Sequence, residues 1–239
     1  MSEIDRQEPR EPSVLILGIG NVLWADEGFG VRAIEHLHRH WQFDDNVRVV
    51  DGGTQGIYLL EHVQCASILV ILDAIDYGLE PGTLKCIEDD AVPNYLGAKK
   101  VSLHQTGFQE VLATAAMLES CPERLLLVGV QPQEIEDYGG SLTPVVKQRI
   151  EPAIEAAFDW LRQFGVVPVR RDVPLSAEES IAGGEIELDR YESERPDPEV
   201  ACRVGDDRVL ASDRFRVAYR PQPLEPGAVR VDVDPRDKN

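Results

Sequence analysis

Glu27, Asp73 and His104 have side chains that bind metal ions and transfer protons, and each lies beside a predicted strand end or helix start. Glu27 lies in a glycine-rich loop after the apolar run at residues 14–17, and Asp73 closes the apolar run at residues 68–72. Because ligands of open parallel α/β sheets bind beyond the carboxyl ends of the strands, we expect all three side chains on one rim. Two carboxylates and one imidazole suit a first-row divalent metal ion. This ligand set does not distinguish nickel, zinc, iron and manganese.

The two carboxylates also have interpretations that involve no chemistry. Glu27 could be a solvated loop residue, but it precedes a predicted helix, whose positive end favours an anion. We therefore predict that Glu27 is a ligand, and that the neighbouring Asp26 supports it or caps the helix. Asp73 could be a turn or capping residue, yet a buried carboxylate must be paired, hydrogen-bonded or bound to a metal. Asp51 and Asp76 are second-choice residues for the same rim.

His104 lies near the start of a predicted helix, and the position of that start is open. Ser102 with Gln105 matches a capping box, and Thr106 with Gln109 matches one equally well. In either case the positive helix end disfavours imidazolium, and neutral imidazole is the form that binds metals. The alternative is an ordinary surface histidine at a helix terminus.

Other motifs are weaker. The glycines at 18 and 20 suggest a dinucleotide-binding turn, but the third glycine is replaced by Leu23, and the expected acidic residue is missing about 20 residues further on. His36, His38 and His40 share a predicted helix, and the better interpretation is a solvated helix face. No serine elbow of the type Gly-x-Ser-x-Gly is present, so acyl chemistry has no visible nucleophile.

Apolar runs and helical periodicity alternate along the first two thirds of the chain. This alternation predicts an α/β fold: a three-layer, mostly parallel twisted sheet with helices on both faces, over residues 13–165. Residues 1–12 are expected to be a flexible N-terminus, and residues 166–239 a Pro-rich, charged extension that is mobile or loosely packed. The predicted strands are 14–17, 47–50, 68–72, 83–88 and 125–130, and the predicted helices are 30–41, 55–63, 107–118 and 144–164.

Composition excludes several classes of partner. The net charge is −19, and an acidic surface repels the phosphates of nucleic acids and of anionic membranes. No apolar run is long enough to span a bilayer, and residues 1–12 have no apolar core of a signal peptide, so a cytoplasmic location is expected. The four cysteines are widely spaced, which indicates reduced thiols, and Cys65 and Cys86 are expected to fill the core.

Several motifs in the same order resemble the signature of the hydrogenase maturation protease family, and the resemblance covers roughly residues 13–165. It implies an α/β, phosphorylase/hydrolase-like fold and an endopeptidase that removes a C-terminal extension from the large-subunit precursor of a nickel–iron hydrogenase. The motifs are Gly18-Ile-Gly-Asn21, Asp26-Glu-Gly28 with Gly30, Asp51-Gly-Gly-Thr54, Asp73-Ala74, His104 and Gly129-Val-Gln-Pro132.

The resemblance also assigns roles within the site. The metal-binding positions of the family fall on Glu27, Asp73 and His104, and these residues would contact nickel that the precursor carries. The ion could polarise the scissile carbonyl and activate water, or it could only position the substrate while a carboxylate acts as general base. Two alternatives remain open at this stage: a non-catalytic nickel-dependent chaperone of the large subunit, and a nucleotide-binding α/β enzyme.

Overall fold

The computed structural model of the chain describes residues 13–93 and 103–195, with only the backbone described at residues 103–106. The expected flexible N-terminus at residues 1–12 and the part of the extension beyond residue 195 lie outside the described residues. Within the described part, no helix combines the length and the apolar character that crossing a membrane requires.

The described chain alternates strands and helices, as the sequence predicts. The strands are β1 (Val14–Ile19), β2 (Trp41–Gln42), β3 (Val47–Gly53), β4 (Ile68–Ala74), β5 (Leu84–Glu88), β6 (Arg124–Val130) and β7 (Val169–Arg170). The helices are α1 (Phe29–His40), α2 (Leu60–Gln64), α3 (Leu103–Met117), α4 (Pro144–Lys147), α5 (Ile150–Leu161) and α6 (Leu188–Ser193). Short 3-10 helices cover Ala25–Gly28, Gly56–Leu59, Asp89–Ala91, Arg162–Phe164 and Ala177–Glu179.

Five strands form one sheet in the order β3-β1-β4-β6-β5, and β5 alone among them runs antiparallel, at an edge. The central strands are apolar throughout because alternate residues enter different cores: Val14 and Ile16 pack on one face, and Leu15 and Leu17 on the other. Helices α1 and α5 cover the first face, and α2 and α3 cover the second. The expected three-layer, mostly parallel α/β fold is confirmed.

Two sequence-based predictions differ from the structure. The helix predicted at 144–164 is interrupted at Gln148 and Arg149, although Pro144 does begin it as expected. Cys65 and Cys86 do not fill the core, because both are exposed. The prediction treated these cysteines as small apolar residues, but Cys86 lies on the solvent side of the edge strand β5, where the neighbouring Ile87 faces the core instead.

The segment after residue 165 is attached to the domain over its described length. Val166 is buried in the core, and β7 pairs with β2 in a two-stranded antiparallel sheet. Helix α6 is joined to α1 through the Leu188 amide, which donates to Glu35 over 2.8 Å. Residues 166–195 therefore pack against the domain whose end the sequence predicts near residue 165.

Candidate active site

The carboxyl ends of the parallel strands bring the predicted residues to one edge of the sheet. Asp51 near the end of β3 is in register with Gly18 of β1, and Gly18 is in register with Leu72 of β4. Neighbouring strands are about 4.8 Å apart, so the backbones of Asp51 and Leu72 lie roughly 10 Å apart across β1. Asp73 follows directly and is in register with Gly129 of β6.

Glycines allow α1 to begin directly against these strand ends. A Cβ atom on Gly30 would lie 2.1 Å from the carbonyl oxygen of Leu72 and 2.3 Å from that of Ile19. One on Gly20, whose φ is 145°, would lie 2.0 Å from the carbonyl oxygen of Glu27. Both Cβ positions would overlap the protein's own backbone, so residues 20 and 30 must be glycine for α1 to begin this close to the strand ends.

Glu27 lies on the 3-10 helix Ala25–Gly28, which packs against β4, the strand that ends in Asp73. Its side chain is half-buried. Its amide donates to the Trp24 carbonyl over 2.9 Å, and its own carbonyl accepts from Asn21 over 3.1 Å. Ala25 has a φ of 40°, a conformation that is uncommon for a residue with a side chain and that often marks functional sites.

Asp73 is completely buried near the end of β4. Its Oδ1 accepts a hydrogen bond from the amide of Ala74 over 2.7 Å, which turns the carboxylate back towards its own strand end. The structure thus brings the elements that carry Glu27 and Asp73 into contact, as the sequence predicts.

His104 lies in the first turn of α3, and its side chain is outside the described residues. The helix includes Thr106, so Thr106 does not cap it, and Ser102, the other predicted cap, lies outside the described residues. One turn further on, a Cβ atom on Gly107 would lie 3.4 Å from the Cα of Gly56. Because the 3-10 helix Gly56–Leu59 follows β3, this contact places the start of α3 at the same sheet edge.

Asp26 does not cap α1, because Gly28 precedes that helix and no side chain caps it. Asp26 is instead fully buried and holds residues 133–143, here called the rim loop. Its Oδ2 accepts from the amides of Gln133 and Glu134, both over 2.9 Å, and its Oδ1 accepts from the Thr143 amide over 2.7 Å. The prediction that Asp26 caps the helix is therefore wrong, and its carboxylate instead holds a loop more than a hundred residues away in the sequence.

Gln131 is an organising residue to which the sequence analysis gave no role, although it lies in the motif Gly129-Val-Gln-Pro132. It is buried at the end of β6, and its amide oxygen accepts from the amides of Tyr77 over 2.7 Å and Leu79 over 3.1 Å. Its Nε2 donates to Asp76 over 3.0 Å. Gln131 therefore shapes the loop that follows Asp73. A polar residue directly after a buried apolar strand was the available signal, the same one that identified Asp73.

Asp51 is half-buried on the adjacent strand. Burial raises the pKa of its carboxyl group, although a hydrogen bond from the Gly53 amide acts in the opposite direction. Its neighbours do not compensate for the lost hydration, so the charged form is disfavoured.

The histidine cluster of α1 is a separate feature. The rings of His36 and His40 stack with centroids 4.2 Å apart, and His36 Nε2 lies 3.6 Å from Glu151 of α5. Burial and the neighbouring His40 lower the pKa of His36. Within the part of the chain that the structure describes, which leaves out the His104 side chain, no group of three His, Cys, Asp or Glu side chains could hold a metal ion.

These features place the chain in the class of open α/β-sheet proteins, which bind ligands beyond the carboxyl ends of their strands. The family model of the hydrogenase maturation protease matches residues 31–160. The chain is 60% identical over 202 residues to the hydrogenase expression/formation protein HupD of Thiocapsa roseopersicina, covering 84% of this chain and 91% of that protein. It is 40% identical over 160 residues to the hydrogenase 2 maturation protease of Escherichia coli, covering 66% of this chain and 96% of that one.

Solved structures agree with these similarities. The hydrogenase maturating endopeptidase HybD from E. coli superposes with a TM-score of 0.63 at 39% identity, covering 66% of this chain and 97% of that one. The [NiFe] hydrogenase maturation protease HybD from Thermococcus kodakarensis gives a TM-score of 0.51 at 28% identity, covering 62% and 97%. This chain belongs to the hydrogenase maturation protease family, and it is accordingly a hydrolase of the endopeptidase type.

Proposed function

We propose that this endopeptidase removes a C-terminal extension from the nickel-loaded large-subunit precursor of a nickel–iron hydrogenase, and that it does so in the cytoplasm. The substrate follows from the family and from the relatives named for hydrogenase formation. The proposed cytoplasmic location is supported by the widely spaced cysteines, of which Cys65, Cys86 and Cys121 are free thiols.

One observation carries the assignment of the site. Asp73 is a completely buried carboxylate near the end of a central strand, and the helix carrying Glu27 packs on that same strand. A carboxylate is placed in such surroundings at a large cost in hydration, which a bound cation would offset. With His104 from the start of α3, these residues form the proposed set that contacts the nickel of the precursor.

In this proposal the metal belongs to the substrate, and the residues position the precursor through it. Water adds to the scissile carbonyl carbon, the C–N bond breaks, and the departing amine takes up a proton. A carboxylate of the site accepts the proton of the attacking water, and with Asp73 in that role the enzyme is an aspartyl endopeptidase. In the second form of the mechanism the ion itself lowers the pKa of the water.

The test is release of the C-terminal peptide by variants of the three residues, measured by mass spectrometry on a nickel-loaded precursor. Glu27→Gln, Asp73→Asn and His104→Ala should each slow release by at least about 100-fold, the scale expected when a group that contacts the reacting centre is removed. Asn at position 73 can still accept from the Ala74 amide, so its denaturation midpoint should report a folded protein.

The matched control is Glu61→Gln, which changes an exposed carboxylate on α2 and should leave the rate unchanged. Full activity of the folded Glu27→Gln or Asp73→Asn protein would refute the assignment. A stable complex of the wild-type protein with a competent precursor, without any peptide release, would favour the chaperone alternative.

A further inference from the structure

Residues 177–195, here called the strap, cross α1 and are fixed to it by buried charged groups. Arg32 donates to the Ile186 carbonyl over 2.5 Å and pairs with Glu35, and both side chains are buried. Glu35 in turn accepts from the Leu188 amide. Arg32 and Glu35 pair with each other and take further partners from the strap, so α1 depends on the strap to complete their hydrogen bonding.

The other end of the strap is bonded to the rim loop. Glu192 accepts from the Ser141 hydroxyl and from the Lys147 ammonium group, each over 2.7 Å. The Tyr191 hydroxyl donates to the Gly140 carbonyl over 3.3 Å, and Arg195 reaches Asp137 over 3.3 Å. The strap is thus bonded to the rim loop at Asp137 and at residues 140–141, and to the following helix α4 at Lys147.

The rim loop connects the strap with the site. It contains no helix and no regular strand, and its only pairing of strand type among the described residues is a bridge between Tyr138 and Trp24. Besides this bridge and the buried Leu142, the loop is held by Asp26 on one side and by the strap on the other. Asp26 immediately precedes Glu27, so a displacement of the rim loop acts on the residue next to the proposed ligand.

The rim loop also presents a surface suited to a peptide. Tyr138 is 52% exposed and its ring packs edge-on against Trp24, with centroids 5.2 Å apart. Leu23 beside it is 41% exposed, and its carbonyl accepts from the Gly139 amide. Exposed aromatic and aliphatic side chains in a fixed arrangement are typical of protein-recognition surfaces.

We propose that the strap holds the rim loop in the conformation that binds the precursor, and that Glu192 is the positioning residue that transmits this constraint. The inference rests on the proposed function. The E. coli relative, 96% of which is matched over 160 residues, is shorter than the span 13–195, so the fold does not require every part of that span. An element that shapes a recognition surface is a means by which a protein selects its own substrate.

The experiment compares Glu192→Ala and the conservative Glu192→Gln with the control Glu194→Ala. Glu194 lies two residues away and pairs with Arg190 of the strap over 2.9 Å. Two quantities are measured on the full chain: hydrogen exchange of the rim-loop amides, and the kcat and KM for peptide release from the nickel-loaded precursor.

We expect Glu192→Ala to accelerate hydrogen exchange of the Gly139 and Thr143 amides. We also expect it to raise KM on the order of tenfold and to change kcat less than about twofold, because binding is weakened but the reacting groups stay in place. Glu192→Gln should recover part of the loss, since its oxygen can still accept from Ser141, and Glu194→Ala should match the wild-type protein.

Unchanged exchange in Glu192→Ala, or faster exchange with an unchanged KM, would overturn the proposal. Equal KM increases in Glu192→Ala and Glu194→Ala would also overturn it, because the effect would then not pass through the rim loop. If the wild-type protein releases no peptide, the proposed function fails and with it the precursor as ligand, whereas the exchange data still decide whether the strap holds the loop.

Discussion

Replacing Asp26 with asparagine should destabilise the protein strongly, although the side chain changes by a single group. The carboxylate is fully buried and uses both oxygens as acceptors. One oxygen accepts from Gln133 and Glu134, and the other from the amide and hydroxyl groups of Thr143. An asparagine has one acceptor oxygen, so its NH2 group must face N–H donors on one of the two sides.

The size of the effect follows from the less damaging orientation of the amide. If the NH2 group faces Thr143, the hydroxyl can rotate to accept, but the Thr143 amide loses its partner. A buried N–H without an acceptor costs about 1–3 kcal/mol, and the remaining bonds lose the strengthening that a charged acceptor provides. We therefore expect a loss of about 2–4 kcal/mol, a large part of the total stability of a domain, which is about 5–15 kcal/mol.

Urea denaturation followed by tryptophan fluorescence measures this change by linear extrapolation. The matched control is Asp159→Asn, whose side chain is 75% exposed on α5 and which should stay within about 0.5 kcal/mol of the wild-type protein. If Asp26→Asn were as stable as this control, Asp26 would not be the anchor of the rim loop, and the link between the loop and the neighbouring Glu27 would have to be abandoned.

Two further predictions concern the sheet edge. Gly30→Ala should destabilise the protein by at least about 3 kcal/mol in the same denaturation assay, because its Cβ atom would collide with the strand carbonyls. The control Gly165→Ala has open space around its Cβ atom but a φ of 80°, and it should lose only about 1–2 kcal/mol. Burial raises the folded-state pKa of Asp51, so its contribution to stability is lost as the pH rises from about 4 through that pKa. Asp51→Asn, which can still accept from the Gly53 amide, should therefore gain stability relative to the wild-type protein at pH 7 but not at pH 3. An equal stability difference at both pH values would contradict this reasoning.

The sheet and the residues at its edge could be predicted because their signals are local. A strand covered on both faces is apolar throughout, and this pattern located β1, β4 and β6 to within two residues. Asp73 was identified because a charged residue next to such a run must lie at the strand end, and Glu27 because it lies in a glycine-rich loop before a predicted helix. The contact between the elements that carry them is what a parallel sheet predicts.

Contacts between distant parts of the chain left no such signal. Nothing near Asp26 indicates that its acceptors serve the amides of residues 133–143. The strap was predicted as part of a loose extension over residues 166–239, because the prolines and charges of that range are typical of unpacked segments. In the structure its carbonyl at Ile186 and its amide at Leu188 are the partners of Arg32 and Glu35, and a sequence does not reveal which charge a distant backbone group will satisfy.

The most direct test of the central claim is peptide release by the wild-type protein from the same large-subunit precursor with and without nickel. Mass spectrometry of the intact precursor reports the loss of its C-terminal peptide, and prior loading is verified by metal analysis. The site proposed here contacts the metal of the substrate, so the peptide should be lost from the nickel-loaded precursor and retained on the nickel-free one. Equal release from both precursors would contradict the account, because Glu27, Asp73 and His104 would then not act through nickel.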